Sequence, residues 1–479
     1  MRKAKIVCTI GPASAGRDVL FGLIRQGMDV ARLNFSHGDH AFHEKAISIV
    51  REGSKLYRRP VAILQDLQGI KIRVGPLAGG ETTLKRGQEV LLLPGAETGN
   101  GKRLYISYPR LLEDARVGQR VLLDDGLMGL RVVGKTKGGL RAKVIEGGIL
   151  KEKKGVNLPG MDIKTESFTE KDRKDLEFGL KAGVDYVAVS FVREAEDIKK
   201  VRRWLKGATG PSDIGDTVPI IAKIERPEAV RNIEAILESA DGIMVARGDL
   251  GVEVSTEDVP VLQKMLIERA NGRGKLVITA TQMLESMTVH TRPTRAEAAD
   301  VANAVIDGTD ALMLSAETSS GKYPLKALAM MDRIIRRTER GRRITSSYRK
   351  GGSFSEAVAD AAVRAAEDIR ARFVVAFTQS GYTARLLSKF RPATPIVAFT
   401  HTESVRRRMS LYRGVVPEII RPMKSTDAVF REVEKALIEK GMVGPGDGLV
   451  ITASTPILGA GKTNLLKVHR VGDLERGGS

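Results

Sequence analysis

The sequence predicts an α/β protein: a (β/α)8 barrel that carries an inserted, small β-barrel-like lid domain and is followed by a separate C-terminal α/β domain. Three observations carry this. Short apolar runs alternate with helix-like segments about eight times between Lys5 and Leu314, the count that closes a parallel barrel. The alternation is interrupted after Asp66 by a long glycine-rich, strand-like stretch, and after about Arg343 its character changes again. The boundaries expected are 1–69 and 168–343 for the barrel, 70–167 for the lid and 344–479 for the C-terminal domain.

Taken in order, barrel strands are expected at Lys5–Ile10, Asp29–Leu33, Val61–Gln65, Asp185–Val189, Ile220–Ile224, Gly242–Ala246, Lys275–Thr279 and Ala311–Leu314, each a short apolar run flanked by polar residues. Helical patterns lie between them, among them Phe42–Tyr57, Lys171–Ala182, Glu194–Leu205, Pro227–Leu237, Val259–Asn271, Arg295–Ile306 and Leu325–Arg337. Pro227 suits a first helical turn, where its missing N–H costs nothing. In the insertion, short alternating runs at Gln88–Leu93, Gln119–Leu123, Gly129–Val133 and Leu140–Val144 are separated by turn signals such as Pro94-Gly95, Asp125-Gly126 and Gly138-Gly139. The chain returns to the barrel near Asn157–Gly160. Beyond Gly351-Gly352-Ser353, a helix at Ser355–Ile369, strands at Phe373–Phe377, Ile396–Phe399 and Leu449–Thr452, and helices at Ala384–Lys389 and Asp427–Lys440 make the last domain.

Composition bounds the function. Charged residues at 28% and hydrophobic residues at 42% are those of a soluble globular protein, and no stretch of about twenty apolar residues is present to span a bilayer. The N-terminus runs directly into an apolar strand without the pattern of a secretory leader, and the single cysteine, Cys8, rules out an intrachain disulfide; both lead us to expect a bacterial-type cytoplasmic location. A formal charge of +20 raises nucleic-acid binding as a second class of function. Basic residues are spread along the chain, however, and aromatics are only 4%, too few for a stacking ladder, so the charge points to small anionic substrates and effectors.

The chemistry is organised around Pro219–Asp249. Lys223 and Glu225 are two apart on a strand and share a face, and the next strand delivers Arg247-Gly248-Asp249 at its C-terminal end. A βαβ unit thus sets one lysine and two carboxylates side by side, a seat for a divalent metal and an anion. By spacing alone the pair is as compatible with a structural ion pair, and both readings stay open. Other strands end alike: the second places Arg32, Asn34 and Ser36 on one side, the third ends in Asp66, the seventh at Thr281 and the eighth at Glu317. Such convergence is hard to obtain from ion pairing alone. The Arg-Gly-Asp triplet is not read as an adhesion motif, since nothing points to secretion. His37, His40 and His43 are read as a solvated helix face rather than a metal set, and Gly459–Thr463 lacks the first glycine of a P-loop, having Pro456 there.

Several longer motifs carry a resemblance: ARLNFSHG at Ala31–Gly38, KGVNLPG at Lys154–Gly160, AKIE at Ala222–Glu225, MVARGDLGVE at Met244–Glu253, ATQMLESM at Ala280–Met287, PTRAEAADVANAVIDGTDALMLSAET at Pro293–Thr318 and TNLLKVH at Thr463–His469. From Lys5 to about Val471 the chain closely resembles the pyruvate kinase family in its bacterial form without an extra C-terminal domain. The resemblance implies a phosphotransferase that moves a phosphoryl group from phosphoenolpyruvate to ADP, giving pyruvate and ATP in the last step of glycolysis. It implies Mg²⁺ (or Mn²⁺) held by Glu225 and Asp249, with Lys223 on the transferring phosphoryl group, Arg32 on the phosphate, and Gly248 and Thr281 on the substrate. It further implies nucleotide contacts from Arg73, Lys154, His37 and Asn34, and a monovalent-cation site from Asn34, Ser36, Asp66 and the carbonyl of Leu67. A homotetramer, an allosteric loop for a phosphorylated effector at Thr378, Ser380, Gly381 and Thr383, with Arg385 and Lys462 as possible helpers, and no nucleic-acid or membrane partner complete the implication.

One departure is informative. Many members read Asp-Thr-Lys-Gly-Pro-Glu-Ile-Arg after the third strand, whereas this chain has Asp66-Leu67-Gln68-Gly69-Ile70-Lys71-Ile72-Arg73. A lysine at the acidic position brings its own compact positive charge to the cation site, so the expectation is an enzyme that does not require K⁺. A solvated loop lysine is the alternative. Another phosphoenolpyruvate-using or enolate-forming Mg²⁺ barrel, an aldolase or lyase, would also explain Lys223, Glu225 and Asp249, but not the inserted lid with Arg73 and Lys154.

Overall fold

The computed structural model describes residues 1–161, 166–209, 218–349, 351–423, 425–454 and 463–473. Eight parallel strands close a barrel: β1 (Lys5–Ile10), β2 (Val30–Asn34), β3 (Ala62–Asp66), β4 (Tyr186–Val189), β5 (Ile220–Ile224), β6 (Gly242–Ala246), β7 (Leu276–Ala280) and β8 (Ala311–Leu314). Each pairs with its neighbours in sequence, and β1 pairs with β8 to complete the ring. Side-chain alternation divides every strand between two environments. One set, including Ile6, Cys8, Leu33, Ile63, Val187, Ala222, Val245 and Leu314, packs outward against the helices. The other, including Val7, Val30, Leu64, Tyr186, Ile221, Met244 and Ile278, fills the barrel, and its upper members are polar.

A repeated interaction at the N-terminal rim fixes the strand positions. An aspartate stands immediately before each even-numbered strand and accepts the backbone N–H of an odd-numbered neighbour. Asp29 takes Ile6 at 2.9 Å, Asp185 takes Ile63 at 2.8 Å, Asp241 takes Ile220 at 2.9 Å and Asp310 takes Val277 at 2.9 Å. Each also has a basic partner: Arg2 on Asp29, Arg51 on Asp185, Arg202 on Asp241, and Lys389 with Arg391 on Asp310.

Between β3 and the helix Glu170–Lys181 the chain forms a six-stranded sheet and a two-stranded one around a separate apolar core. In the last part of the chain, β9 (Phe373–Phe377), β10 (Ile396–Thr400), β11 (Val415–Ile419), β12 (Gly448–Ala453) and β13 (Leu465–Arg470) make a sheet in the order β11-β10-β9-β12-β13, with β13 antiparallel to β12. This domain closes the N-terminal end of the barrel. The barrel filling is continuous with Ala384, Leu387, Met409 and Tyr412, and Tyr186 donates its hydroxyl to the carbonyl of Arg408 at 2.7 Å. Asp185 and Asp310 serve both units, since Arg407 reaches the first at 2.8 Å and Lys389 and Arg391 reach the second at 2.5 and 2.8 Å.

Some expectations need correcting. Pro227–Leu237 is two short helices, Pro227–Arg231 and Ile233–Ser239, broken at Asn232, whose side chain is tied to the carbonyl of Arg193. Arg247–Glu253 is a helix that begins directly at the end of β6. Of the three histidines, His37 and His40 are exposed as expected, His40 pairing with Asp175, but His43 is not on a solvated face: it is only 2% exposed and stacks on Phe35. Strands β11 and β13 were not expected, because Pro417 interrupts one run and polar residues the other; both lie at sheet edges, where such residues are tolerated. Among the described residues no helix is long and apolar enough to cross a membrane.

Asp310→Ala strands two cations that are about 1% exposed. The expected loss is about 3–5 kcal/mol, read as a lowered urea midpoint, with Arg391→Lys costing much less.

Candidate active site

The polar residues that end the inward-facing sets meet at the C-terminal mouth of the barrel. Arg32, on β2, donates its Nε to Asp66 at the end of β3 at 2.7 Å and another nitrogen to Thr9 Oγ1 at 2.9 Å. Lys223, on β5, lies 3.3 Å from Asp66, 2.8 Å from Glu225 and 2.8 Å from the hydroxyl of Ser190. Ser190 in turn donates to the carbonyl of Leu67 at 2.7 Å, and Glu225 accepts the N–H of Phe191 at 2.7 Å. Arg32, Asp66, Lys223 and Glu225 thus form one buried chain of alternating charge. β5 and β6 are neighbours in register, which sets Asp249 beside Glu225.

The electrostatics follow from this packing. Burial works against the charge on Lys223, but Asp66 and Glu225 outweigh it and push its pKa up, so the ammonium stays charged. Burial also opposes ionisation of Asp66, yet Lys223 and Arg32 hold its carboxyl below the usual carboxylate range. Asp249 is the exception. Burial, then the charge of Glu225, raise its carboxyl to about 6. This corner of the mouth is short of positive charge.

Thr281 and Gln282 follow β7 with φ of +68° and +54°, a region that costs a non-glycine residue about 1–3 kcal/mol. Arg247 offsets that strain. It donates to the carbonyls of Ala280, Thr281 and Gln282 at 3.3, 2.7 and 3.2 Å, while Asp300 holds the guanidinium at 2.6 Å. The loop then presents Thr281 Oγ1 to the N–H of Gly248 at 2.7 Å, and a Cβ at residue 248 would stand 3.3 Å from that oxygen.

The inserted segment supplies the facing wall. Arg73 and Lys154 stand together where the segment leaves and returns, with Arg73 on the carbonyl of Lys153 at 2.6 Å and Lys154 on Asp124 at 2.8 Å. Lys71 lines a cleft of about 100 Å³ with Asp125, Asn157, Arg226, Asp249 and Glu253. Burial and then Arg73 lower its pKa, with Asp249 and Asp125 acting the other way. His37 has its pKa lowered by burial and then by Lys71, Arg73 and Arg32, which places it at the meeting of mouth and insertion. Asn34 is paired in register with Asp66, and its Oδ1 accepts the N–H of Ser36 at 3.1 Å.

The C-terminal set lies in the other domain, away from this mouth. Gly381, with φ +84°, opens the helix Tyr382–Lys389 and gives its N–H to Thr378 Oγ1 at 3.0 Å. Ser380 accepts from the N–H of Tyr382, and Thr383 is buried against Thr463, the two hydroxyls 2.6 Å apart. Arg385 lies over the ring of Tyr382, and Lys462 falls outside the described residues. Sequence reasoning passed over Thr9, Ser190 and Arg247. Thr9 sits on an inward position of β1 and Ser190 directly follows β4 with inward parity, a signal open to reading, whereas the role of Arg247 depends on a loop contributed by another strand.

A closed barrel with cations and carboxylates gathered at the strand C-termini defines an enzyme that handles a small anion, with hard oxygen donors at hand for a divalent cation. Residues 1–328 match the family model described as "Pyruvate kinase, barrel domain", and residues 356–469 the one described as "Pyruvate kinase, alpha/beta domain". The chain is 45% identical to a pyruvate kinase of Sporosarcina psychrophila, over 99% of this chain and 81% of the relative, and 46% identical to one of Mycobacterium tuberculosis, over 98% and 99%. The crystal structure of a pyruvate kinase from Cryptosporidium parvum superposes with a TM-score of 0.92 at 38% identity, covering 98% of this chain and 96% of that one. The chain belongs to the pyruvate kinase family, and so to the phosphotransferases whose substrates are phosphoenolpyruvate and ADP.

Arg247→Lys removes the fork that holds three carbonyls. Turnover should fall on the order of 100-fold, since small misplacements of reacting groups cost that much, while the melting temperature changes little.

Proposed function

We propose that this chain transfers a phosphoryl group from phosphoenolpyruvate to ADP with Mg²⁺ (or Mn²⁺), does so without K⁺, and responds to a phosphorylated effector. The observation that carries the reading is the buried chain Arg32–Asp66–Lys223–Glu225 beside the electron-rich Asp249. The donor set fits a hard divalent cation: two carboxylates just beyond the ends of neighbouring strands, one with its pKa raised to about 6 by burial and then by the charge of the other. Bound there by Glu225 and Asp249, that cation would neutralise substrate charge and orient the carboxylate and enolate oxygens.

The remaining work falls to side chains. The transferring group spreads negative charge over its oxygens, and Lys223, kept charged, and Arg32, oriented by Asp66 and Thr9, are placed to meet it. The phosphorus–oxygen bond of the enol phosphate breaks as a terminal oxygen of ADP bonds to phosphorus, and the enolate then takes a proton at carbon. Gly248 and Thr281 contact the substrate in this reading, with Thr281 beside the carbon that is protonated. Arg73, Lys154, His37 and Asn34 hold the nucleotide, and the segment 70–167 acts as a lid that excludes water from the mouth.

Lys71 supports the reading of K⁺ independence. It lines the same cleft as Asp249 and acts electrostatically on Asp249 and His37, and in this reading its ammonium takes the place of the monovalent ion that Asn34, Ser36, Asp66 and the Leu67 carbonyl would otherwise hold. The loop of Thr378, Ser380, Gly381 and Thr383 suits a phosphate, since its strand-to-helix turn offers hydroxyls and N–H groups, although Thr383 would have to leave Thr463. A homotetramer and a cytoplasmic location rest on family likeness.

Pyruvate formation from phosphoenolpyruvate, ADP and Mg²⁺ in K⁺-free buffer tests the reaction and the role of Lys71 together. The expected outcome is full activity without K⁺ in the wild type and K⁺-dependent activity in Lys71→Glu. A second test uses pH. Protons compete with metal at Asp249, so affinity for Mn²⁺, followed by electron paramagnetic resonance, should tighten as pH rises to about 6 and weaken about tenfold per unit below it. Asp249→Asn should flatten that dependence.

A further inference from the structure

Glu253 is a half-buried carboxylate at the active cleft to which the reaction as described gives no task. It ends the seven-residue helix Arg247–Glu253, which begins at the end of β6 and carries Asp249 in its first turn. One oxygen accepts from Asn157 Nδ2 at 3.1 Å, and the other is buried with no hydrogen-bond partner among the described residues. Asn157 lies where the inserted segment rejoins the barrel, and the cleft it lines is bounded by both crossings of the chain, Ile70–Ile72 on the way out and Gly155–Leu158 on the way back. The same helical turn meets the insertion a second time. In the turn Asp124-Asp125-Gly126 all three residues have positive φ, and a Cβ at residue 126 would lie 3.6 Å from Val252.

These observations share a geometry. A short helix fixed at one end by β6 touches the insertion at its other end, at the hinge through Glu253 and at the lid turn through Val252. A helix is stiff over two turns, so a hydrogen bond at its last residue sets the distance between the insertion and Asp249 at its first. We propose that Glu253 is a positioning residue: by accepting from Asn157 it fixes the hinge angle of the inserted segment, and so the placement of Arg73 and Lys154 over Asp249. The proposal rests on the kinase reading given above and deepens it, by assigning the step at which the nucleotide side of the site is assembled. The property that matters is the acceptor oxygen, which a carboxamide retains.

The experiment uses the full chain with spin labels at Lys137→Cys, in the insertion, and Arg231→Cys, on the barrel, both exposed, while the native Cys8 is buried. Pulsed dipolar distances, with and without Mg²⁺ and ADP, are compared with steady-state kinetics. Glu253→Gln should keep the narrow distance distribution and KM of the parent. Glu253→Ala should broaden the distribution and raise KM for ADP about tenfold, with a smaller change in KM for phosphoenolpyruvate. Asn157→Ala removes the same bond from the other side and should behave alike, which keeps the test open should Glu253→Ala not fold. An unchanged distribution and KM in Asn157→Ala, or a Glu253→Gln variant as impaired as Glu253→Ala, would overturn the hinge role. Parent protein that forms no pyruvate would instead overturn the kinase reading and leave the distance result to stand by itself.

Discussion

The structure depends on the four aspartates that pin the barrel at its N-terminal rim. Asp29, Asp185, Asp241 and Asp310 each accept one backbone N–H of an odd-numbered strand, and so hold adjacent strands in a fixed stagger. Because side chains alternate, that stagger decides which residues face inward at every level above. Val30, Arg32 and Asn34, or Ile221, Lys223 and Glu225, run from an apolar base to a polar mouth because the rim has set their parity. A slip of one residue would turn Lys223 and Glu225 into the helix layer.

The same rim explains how the C-terminal domain is attached. Its cations use the carboxylates already needed by the strands, Arg407 on Asp185 and Lys389 with Arg391 on Asp310. Burying such charges is tolerable only because each carboxylate is shared among several donors. The short helix Tyr382–Lys389 runs from the turn at Thr378 and Gly381 at its start to the Asp310 cluster at its end. Asp310 in turn holds the first residues of β7, the strand that leads to Thr281. The two ends of the molecule are therefore joined by packed, hydrogen-bonded elements rather than by a linker.

At the mouth, charge is arranged unevenly. Arg32, Asp66, Lys223 and Glu225 compensate one another, whereas Asp249 is left with surplus negative charge beside Glu225. The cationic half of the site is thus internally compensated, whereas the anionic half is not. The strained Thr281–Gln282 turn and the side chain of Glu253 are each held by a residue from elsewhere in the chain, Arg247 for the first and Asn157 for the second.

The sequence by itself determined the elements and the family. The limits of β1, β5, β6 and β8 could be read to the residue, because runs buried on both faces end abruptly, in charge at Glu225 and Arg247 and in turn-forming or polar residues at Gly11 and Ser315, and the set Arg32, Asp66, Lys223, Glu225 and Asp249 could be named from strand ends. Where local signals conflicted, it gave less. Pro417 concealed an edge strand, Asn232 broke a helix through a tether to Arg193, and His43, taken for surface, stacks on Phe35. Arg247 and Glu253 were legible only as part of a motif, since what each does is set by partners far away in the chain, the loop after β7 for one and the returning insertion for the other. Periodicity is a property of neighbours along the chain and survives in the sequence. The pairing of a side chain with a distant backbone group arises only when the barrel closes and brings the two together, and that the tertiary structure alone decided.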